Sequence, residues 1–163
     1  MTRGGSREWY SGAGGASRLR FECTQCGACC TGPEGAVLVT PREVDALAAR
    51  LGMTTEAFVA QFTHMTPEGR SLIERETAPK SGQFDCVFLD RSADPSRGTC
   101  SVYMDRPTQC RTFPWWPDNL KDEAAWRRTA KCCEGIGRGA FVPISTIRIQ
   151  RDAQAAAHPV HRG

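Results

Sequence analysis

Four cysteines fall within eight residues, Cys23-Thr24-Gln25-Cys26-Gly27-Ala28-Cys29-Cys30, and five more follow at Cys86, Cys100, Cys110, Cys132 and Cys133. The spacing C-x2-C-x2-C-C is too tight for disulfides between neighbours, and it suits thiolates converging on metal. Cys23 and Cys26, three apart on a tight turn, can reach one tetrahedral ion. Gly27 permits positive φ, so backbone N–H groups can point at sulfur and spread its charge. Cys29 extends the run to the spacing by which ferredoxin-type loops hold three irons of a [4Fe–4S] cluster, the fourth thiolate arriving from elsewhere. Adjacent side chains diverge, so Cys30 is expected to serve a second centre. Cys86, Cys100, Cys110 and one of Cys132 and Cys133 bring the sum to eight, enough for two four-thiolate sites. Any one of these alone could be an inert buried thiol. Nine in 163 residues do not. Zinc, iron and an iron–sulfur cluster all stay open at this point.

The bulk properties fit a domain organised by metal. An apolar fraction of 40%, with 16 Gly and 10 Pro, indicates a loop-rich fold with a modest core that metal staples would stabilise. No apolar run approaches the length of a membrane span. Residues 1–20 carry Arg3, Arg7, Arg18 and Arg20 without an apolar stretch, so no secretory signal is visible and a cytoplasmic address is expected. There cysteines stay reduced, and an odd number is awkward for a disulfide framework. The net charge of +3 is concentrated at the ends; residues 21–147 hold 14 basic against 16 acidic side chains. Two four-thiolate sites around 2+ ions would bring that middle to about −6, a poor surface for nucleic acid. Metal ions are thus the expected partners, with neither membrane nor nucleic acid among them.

The elements that must position the sulfurs are short. Residues 1–18, rich in Arg, Gly and Ser, read as a disordered tail interrupted by Trp9-Tyr10, which has the form of an aromatic anchor. The metal-binding domain is placed at 19–150, and 151–163 as a frayed C-terminal tail, with a last helix running to about Ala157. Thr40-Pro41-Arg42-Glu43 forms a capping box with proline at the first helical position, followed by a stripe of Val44, Leu47, Ala48 and Leu51 and a stop at Gly52. A second short helix spans about Thr55 to Phe62, burying Phe58, Val59 and Phe62. Ser71–Thr77 reads as a strand. Cys86–Asp90 and Thr99–Tyr103 read as a hairpin around a polar loop, each run carrying a cysteine near its start. One helical turn at 106–114 carries Cys110, Trp115-Trp116 is expected to form an aromatic lid, and residues 119–130 suit a helix. The sum is a small, irregular α+β domain: a few helices and a short hairpin around cysteine-ligated metal.

Other candidates are weaker. Arg106, Arg111 and Arg138 lie beside cysteines and could offset thiolate charge. Gly135-Ile136-Gly137-Arg138-Gly139 lacks the lysine of a phosphate loop, and its glycines fit close backbone approach to a metal centre. His64, His158 and His161 lack ligand spacing. Tyr103 could shield a centre from water. Asp85 and Asp90 fit turn and strand-end positions. No catalytic residues can be assigned, so enzymatic activity is left open.

The run Phe21–Gly32 resembles the defining motif of the CxxCxxCC, or YkgJ-type, zinc- or iron-chelating family. So do Cys86-Val87-Phe88-Leu89, Cys100-Ser101-Val102-Tyr103, Arg106-Pro107-Thr108-Gln109-Cys110-Arg111-Thr112-Phe113-Pro114 and Cys133-x-Gly135-Ile136-Gly137-x-Gly139, in the same order over residues 19–148. The resemblance implies a small bacterial domain that binds zinc or iron through Cys23, Cys26, Cys29, Cys30, Cys86, Cys100, Cys110 and Cys133, with no assigned biological role. It makes Cys133 the last ligand and Cys132 an extra cysteine. A related cluster occurs in flagellin lysine N-methylases. That implies an alternative: an iron–sulfur protein acting in electron transfer or as the cofactor part of a protein-modifying enzyme. A third possibility is an interaction module that metal merely props up.

Overall fold

Thr40 caps the first long helix as its sequence demands. Its hydroxyl accepts from the Glu43 N–H at 3.4 Å, and Glu43 Oε2 accepts from the Thr40 N–H at 2.8 Å. The structure, a computed structural model, describes residues 8–159. Its strands are β1 (Arg20–Phe21), β2 (Thr31–Gly32), β3 (Val37–Leu38), β4 (Thr63–Thr66), β5 (Gly69–Leu72), β6 (Glu74–Glu76), β7 (Phe84–Cys86), β8 (Leu89–Asp90), β9 (Thr99–Cys100) and β10 (Ile136–Phe141). The helices are α1 (Pro41–Arg50), α2 (Thr55–Phe62), α3 (Thr108–Thr112), α4 (Pro117–Leu120), α5 (Glu123–Cys132) and α6 (Ile144–Ala157), with 3-10 turns at Ala13–Gly15, Ala28–Cys30 and Tyr103–Asp105. The fold is a mixed α+β arrangement of small antiparallel sheets, ordered β1-β10, β2-β7-β6, β3-β5-β4 and β8-β9.

Two apolar cores form among the described residues. The first gathers Val44, Leu47 and Ala48 of α1 and Phe58 of α2 with Val39, Leu72, Cys86, Phe88 and Val102; Leu47 and Phe58 are fully buried. Phe58, Phe62 and Phe88 pack ring on ring within it. The second gathers Tyr10, Leu19, Trp115, Leu120, Trp126, Ile144 and Ile147. Trp115 stacks on Trp126 there at 5.3 Å. Each core is small, consistent with a chain rich in glycine and proline.

Several expectations change in detail. The strand expected over 71–77 is broken at Ile73 into β5 and β6, whose partners lie in different sheets. The hairpin exists as β8 and β9, paired Leu89 to Cys100, but Cys86 closes β7 instead of opening β8. The helix expected over 119–130 is interrupted, because the Asp122 carboxylate caps a new start by accepting from the Ala125 N–H at 2.7 Å. The glycine-rich run after Cys133 forms β10, which pairs with β1 through an irregular register.

The tail expected to be disordered over 1–18 meets a packed segment from Glu8 onward; residues 1–7 lie outside the described residues. Tyr10 is 2% exposed. The Trp9 indole N–H donates to the Leu120 carbonyl at 2.7 Å. The Glu8 carboxylate accepts from Arg148 and Arg151 of α6, each at 2.6 Å, and from the Tyr10 hydroxyl at 3.0 Å. These contacts supply the burial and pairing that glycine and serine could not. The same pairs brace α6, which ends at Ala157, where the last helix was expected to end. The hydrogen bond from Arg148, seconded by Arg151 and Tyr10, outweighs burial and holds the Glu8 carboxyl down at about 2. A carboxyl depressed on folding stabilises above its ordinary pKa, and that contribution fades as pH falls toward 2. Replacing Glu8 with Gln is expected to cost on the order of 1 kcal/mol at pH 7, discounted for the solvent-facing arginines. Urea melts at pH 7 and pH 3 should show the gap between wild type and E8Q closing at the lower pH.

Candidate metal centre

The cysteines come from separate segments, and backbone pairing brings them together. β2 pairs with β7, setting Thr31 against Asp85, so that Cys30 and Cys86 become neighbours one residue beyond the register pair. The hydrogen bond from Glu22 N–H to the Gly135 carbonyl, 3.1 Å, joins the stretch before Cys23 to the turn after Cys133. Helix α3, which carries Cys110, is anchored at its start. Glu43 Oε1 accepts from the Thr108 N–H at 2.6 Å, and the Gln109 amide bonds Leu38 N–H and the Ala36 carbonyl at 2.9 and 2.7 Å. The residue that completes the α1 capping box thus also holds the helix of a cysteine.

One cleft, at the seam between the two cores, is lined by Cys23, Cys26, Cys29, Cys30, Cys100, Cys110 and Cys133. Cys86 lies behind its wall in the first core, 8% exposed, with Cys30 and Cys100 packed against that core. Cys132 does not line this cleft. It is exposed and borders a neighbouring groove. The other wall residues include Phe21, Phe113, Tyr103 and Arg106. The Trp115-Trp116 lid is not found: Trp115 belongs to the second core, and Trp116 packs on Phe113 while donating to the Gln109 carbonyl.

Glycine is required where the loop meets the β8–β9 connection. Gly27 has φ +76, and a Cβ there would stand 2.5 Å from the Gly98 carbonyl oxygen. From Gly27 the chain enters the 3-10 turn Ala28–Cys30, which turns adjacent sulfurs toward each other. Cys29 Sγ and Cys30 Sγ are 3.8 Å apart, where divergence was expected. A tetrahedral thiolate site with Zn–S of about 2.3 Å has sulfur–sulfur edges of about 3.8 Å, so this separation suits shared or adjoining coordination. Outside the cleft, Thr24 Oγ1 donates to Glu134 Oε1 at 2.7 Å, and Arg97 donates to the same oxygen at 3.0 Å, latching the cysteine loop to the end of α5. Nothing in the residue spacing signalled this latch.

The thiols feel both burial and one another. Burial pushes Cys86 up to about 11, with Cys100 adding to it and the Phe88 N–H opposing. Burial likewise raises Cys110, Cys100 and Cys133. The hydrogen bond between the vicinal thiols is the largest influence on both, lowering Cys29 to about 7 and raising Cys30. Backbone N–H groups just downstream oppose the rise from burial at three thiols: Phe88 at Cys86, Val102 at Cys100, and Gly135 and Ile136 at Cys133. Such donors favour the thiolate form that a metal requires. Among the described residues, no three His, Cys, Asp or Glu side chains stand close enough to hold an ion as placed. The donor chemistry nevertheless fits zinc or iron, being all sulfur, with hydrogen-bond donors supplied to several of the ligand atoms.

Arg106 is the cation expected beside the sulfurs and does line the cleft, whereas Arg111 is engaged with Thr108 Oγ1. Asp85 is paired with Arg91 at 2.7 and 3.0 Å, and Asp90 accepts from the Ser92 N–H, so both are structural. His64 and His158 do not line the cleft, and His161 lies outside the described residues. No described helix is long and apolar enough to cross a membrane.

No solved structure matches this chain. Residues 22–134, from the start of the cysteine loop to the residue after Cys133, match the CxxCxxCC family, described as "Putative zinc- or iron-chelating domain". With more than two thirds of its length covered by that match, the chain belongs to the CxxCxxCC family of zinc- or iron-chelating domains.

Proposed function

We propose that this chain binds zinc or iron through the thiolates of Cys23, Cys26, Cys29, Cys30, Cys86, Cys100, Cys110 and Cys133. The observation that carries the reading is the gathering of seven of these sulfurs from separate segments onto one cleft, with the eighth directly behind it. The ligands divide into two sets of four. Cys23, Cys26 and Cys29 join Cys133, which feels Cys26 and Cys29 most among the sulfurs. Cys30 joins Cys86, Cys100 and Cys110, which influence one another. Cys29 also acts on the second set, so it stands at the junction. Bound zinc would supply a redox-inert tetrahedral node, tying the N-terminal loop, the β7–β9 region, α3 and the end of α5 into one unit. A reducing compartment such as the cytoplasm would keep the free thiols available.

A second reading is favoured by one feature, the C-x2-C-x2-C run, which suits a [4Fe–4S] cluster with Cys133 as the fourth ligand. Such a cluster would serve electron transfer or support a protein-modifying enzyme.

Elemental analysis of reduced, anaerobically purified protein is expected to give two zinc or two iron per chain. In C26S at least one metal should be lost and the urea midpoint should fall, while C132S should keep both. Equal loss in the two variants contradicts the ligand assignment. Protein purified from iron-supplied cells settles the second reading. A brown preparation with broad visible absorption and bound sulfide supports the cluster, whereas a colourless preparation with two zinc per chain rules it out.

A further inference from the structure

The residues lining the sulfur cleft include one charged side chain, Arg106, and no carboxylate. Other arginines are paired with carboxylates: Arg50 with Asp105, Arg91 with Asp85 and Arg97 with Glu134. Among the described residues, Arg106 has no carboxylate partner of its own. Its guanidinium carbon lies 3.6 Å from the centre of the Tyr103 ring, and its Nε–H donates to the Tyr103 carbonyl at 2.9 Å. Stacking and a backbone bond therefore fix the plane of a half-buried cation that would otherwise extend into water. The Tyr103 hydroxyl in turn lies 3.9 Å from Cys23 Sγ. Arg106 lines the same cleft as Cys29, Cys100 and Cys110, members of both proposed ligand sets.

Four thiolates around a 2+ ion leave a surplus of two negative charges, and two adjoining sites leave four. Close packing of such sites raises their mutual repulsion, more strongly in a low-dielectric cleft than in water. Building on the proposed metal binding, we infer that Arg106, held flat on Tyr103, is the charge-compensating residue of the centre and sets how tightly the ions are retained. Its effect is exerted through the ligand sulfurs, so it is a positioning and electrostatic residue without a bond to metal. The unpaired guanidinium distinguishes this role from a surface arginine, which would sit opposite a carboxylate. Tyr103 is the platform, and the 3-10 turn Tyr103–Asp105 brings ring and guanidinium together.

The test is a competition titration of zinc between a chelator of known affinity and the full reduced chain, as wild type, R106Q and R106K. Urea unfolding of the metal-free forms runs beside it. R106Q is expected to hold zinc about 10- to 100-fold less tightly, the range for removing a group that supports metal ligands. R106K, which keeps the charge, should recover most of that loss, and the metal-free forms should unfold at similar urea concentrations. The inference is overturned if R106Q matches wild type, if R106K is as weak as R106Q, or if the loss of affinity follows an equal loss of metal-free stability. A wild-type chain that takes up neither zinc nor iron would instead remove the metal-binding proposal itself.

Discussion

Sulfur atoms crowded at the seam of two small cores face a conflict that governs the rest of the molecule. Burial favours the neutral thiol, as the elevated Cys86 and Cys110 thiols show. Metal binding needs the thiolate, and several thiolates in one place repel one another. A divalent ion removes the conflict by replacing protons with a cation shared among ligands. Backbone N–H groups near Cys86, Cys100 and Cys133 oppose the effect of burial, and a guanidinium stands on the cleft wall.

Around the sulfurs the architecture is a set of short elements held by specific ties. Strand pairing between β2 and β7 brings Cys30 beside Cys86. Glu43 joins α1 to α3, and the Thr24–Glu134–Arg97 latch joins the first cysteine loop to the last. These polar ties converge on the cleft, while each apolar core lies to one side of it. A chain of this composition has little apolar area to spare, so cross-linking by metal would contribute much of its rigidity.

Local signals were legible in the sequence. The capping box at Thr40–Glu43 and helix α2 depend on neighbours within a turn, and both form where the pattern puts them. The cysteine spacing pointed to convergence, and the family match bears out the zinc- or iron-chelating character. Non-local pairing was not legible. β10 is interrupted by Gly137 and Gly139, which carry no strand signal, and is defined by its pairing with β1. The segment from Glu8 to Arg18 is ordered by α6 and Leu120, more than a hundred residues away. Divergence of Cys29 and Cys30 holds for extended chain, but the 3-10 turn after Gly27 reverses it. The tryptophan pair was read as a lid because aromatic residues suit both shielding and packing, and packing prevailed.

The central claim is that the protein's bound metal is surrounded by sulfur alone. X-ray absorption at the zinc or iron edge of the purified, reduced protein tests it most directly. The account predicts a first shell fitted entirely by sulfur scatterers, at about 2.3 Å for zinc. A shell of nitrogen or oxygen, or a protein that carries neither metal after growth with both supplied, would contradict it.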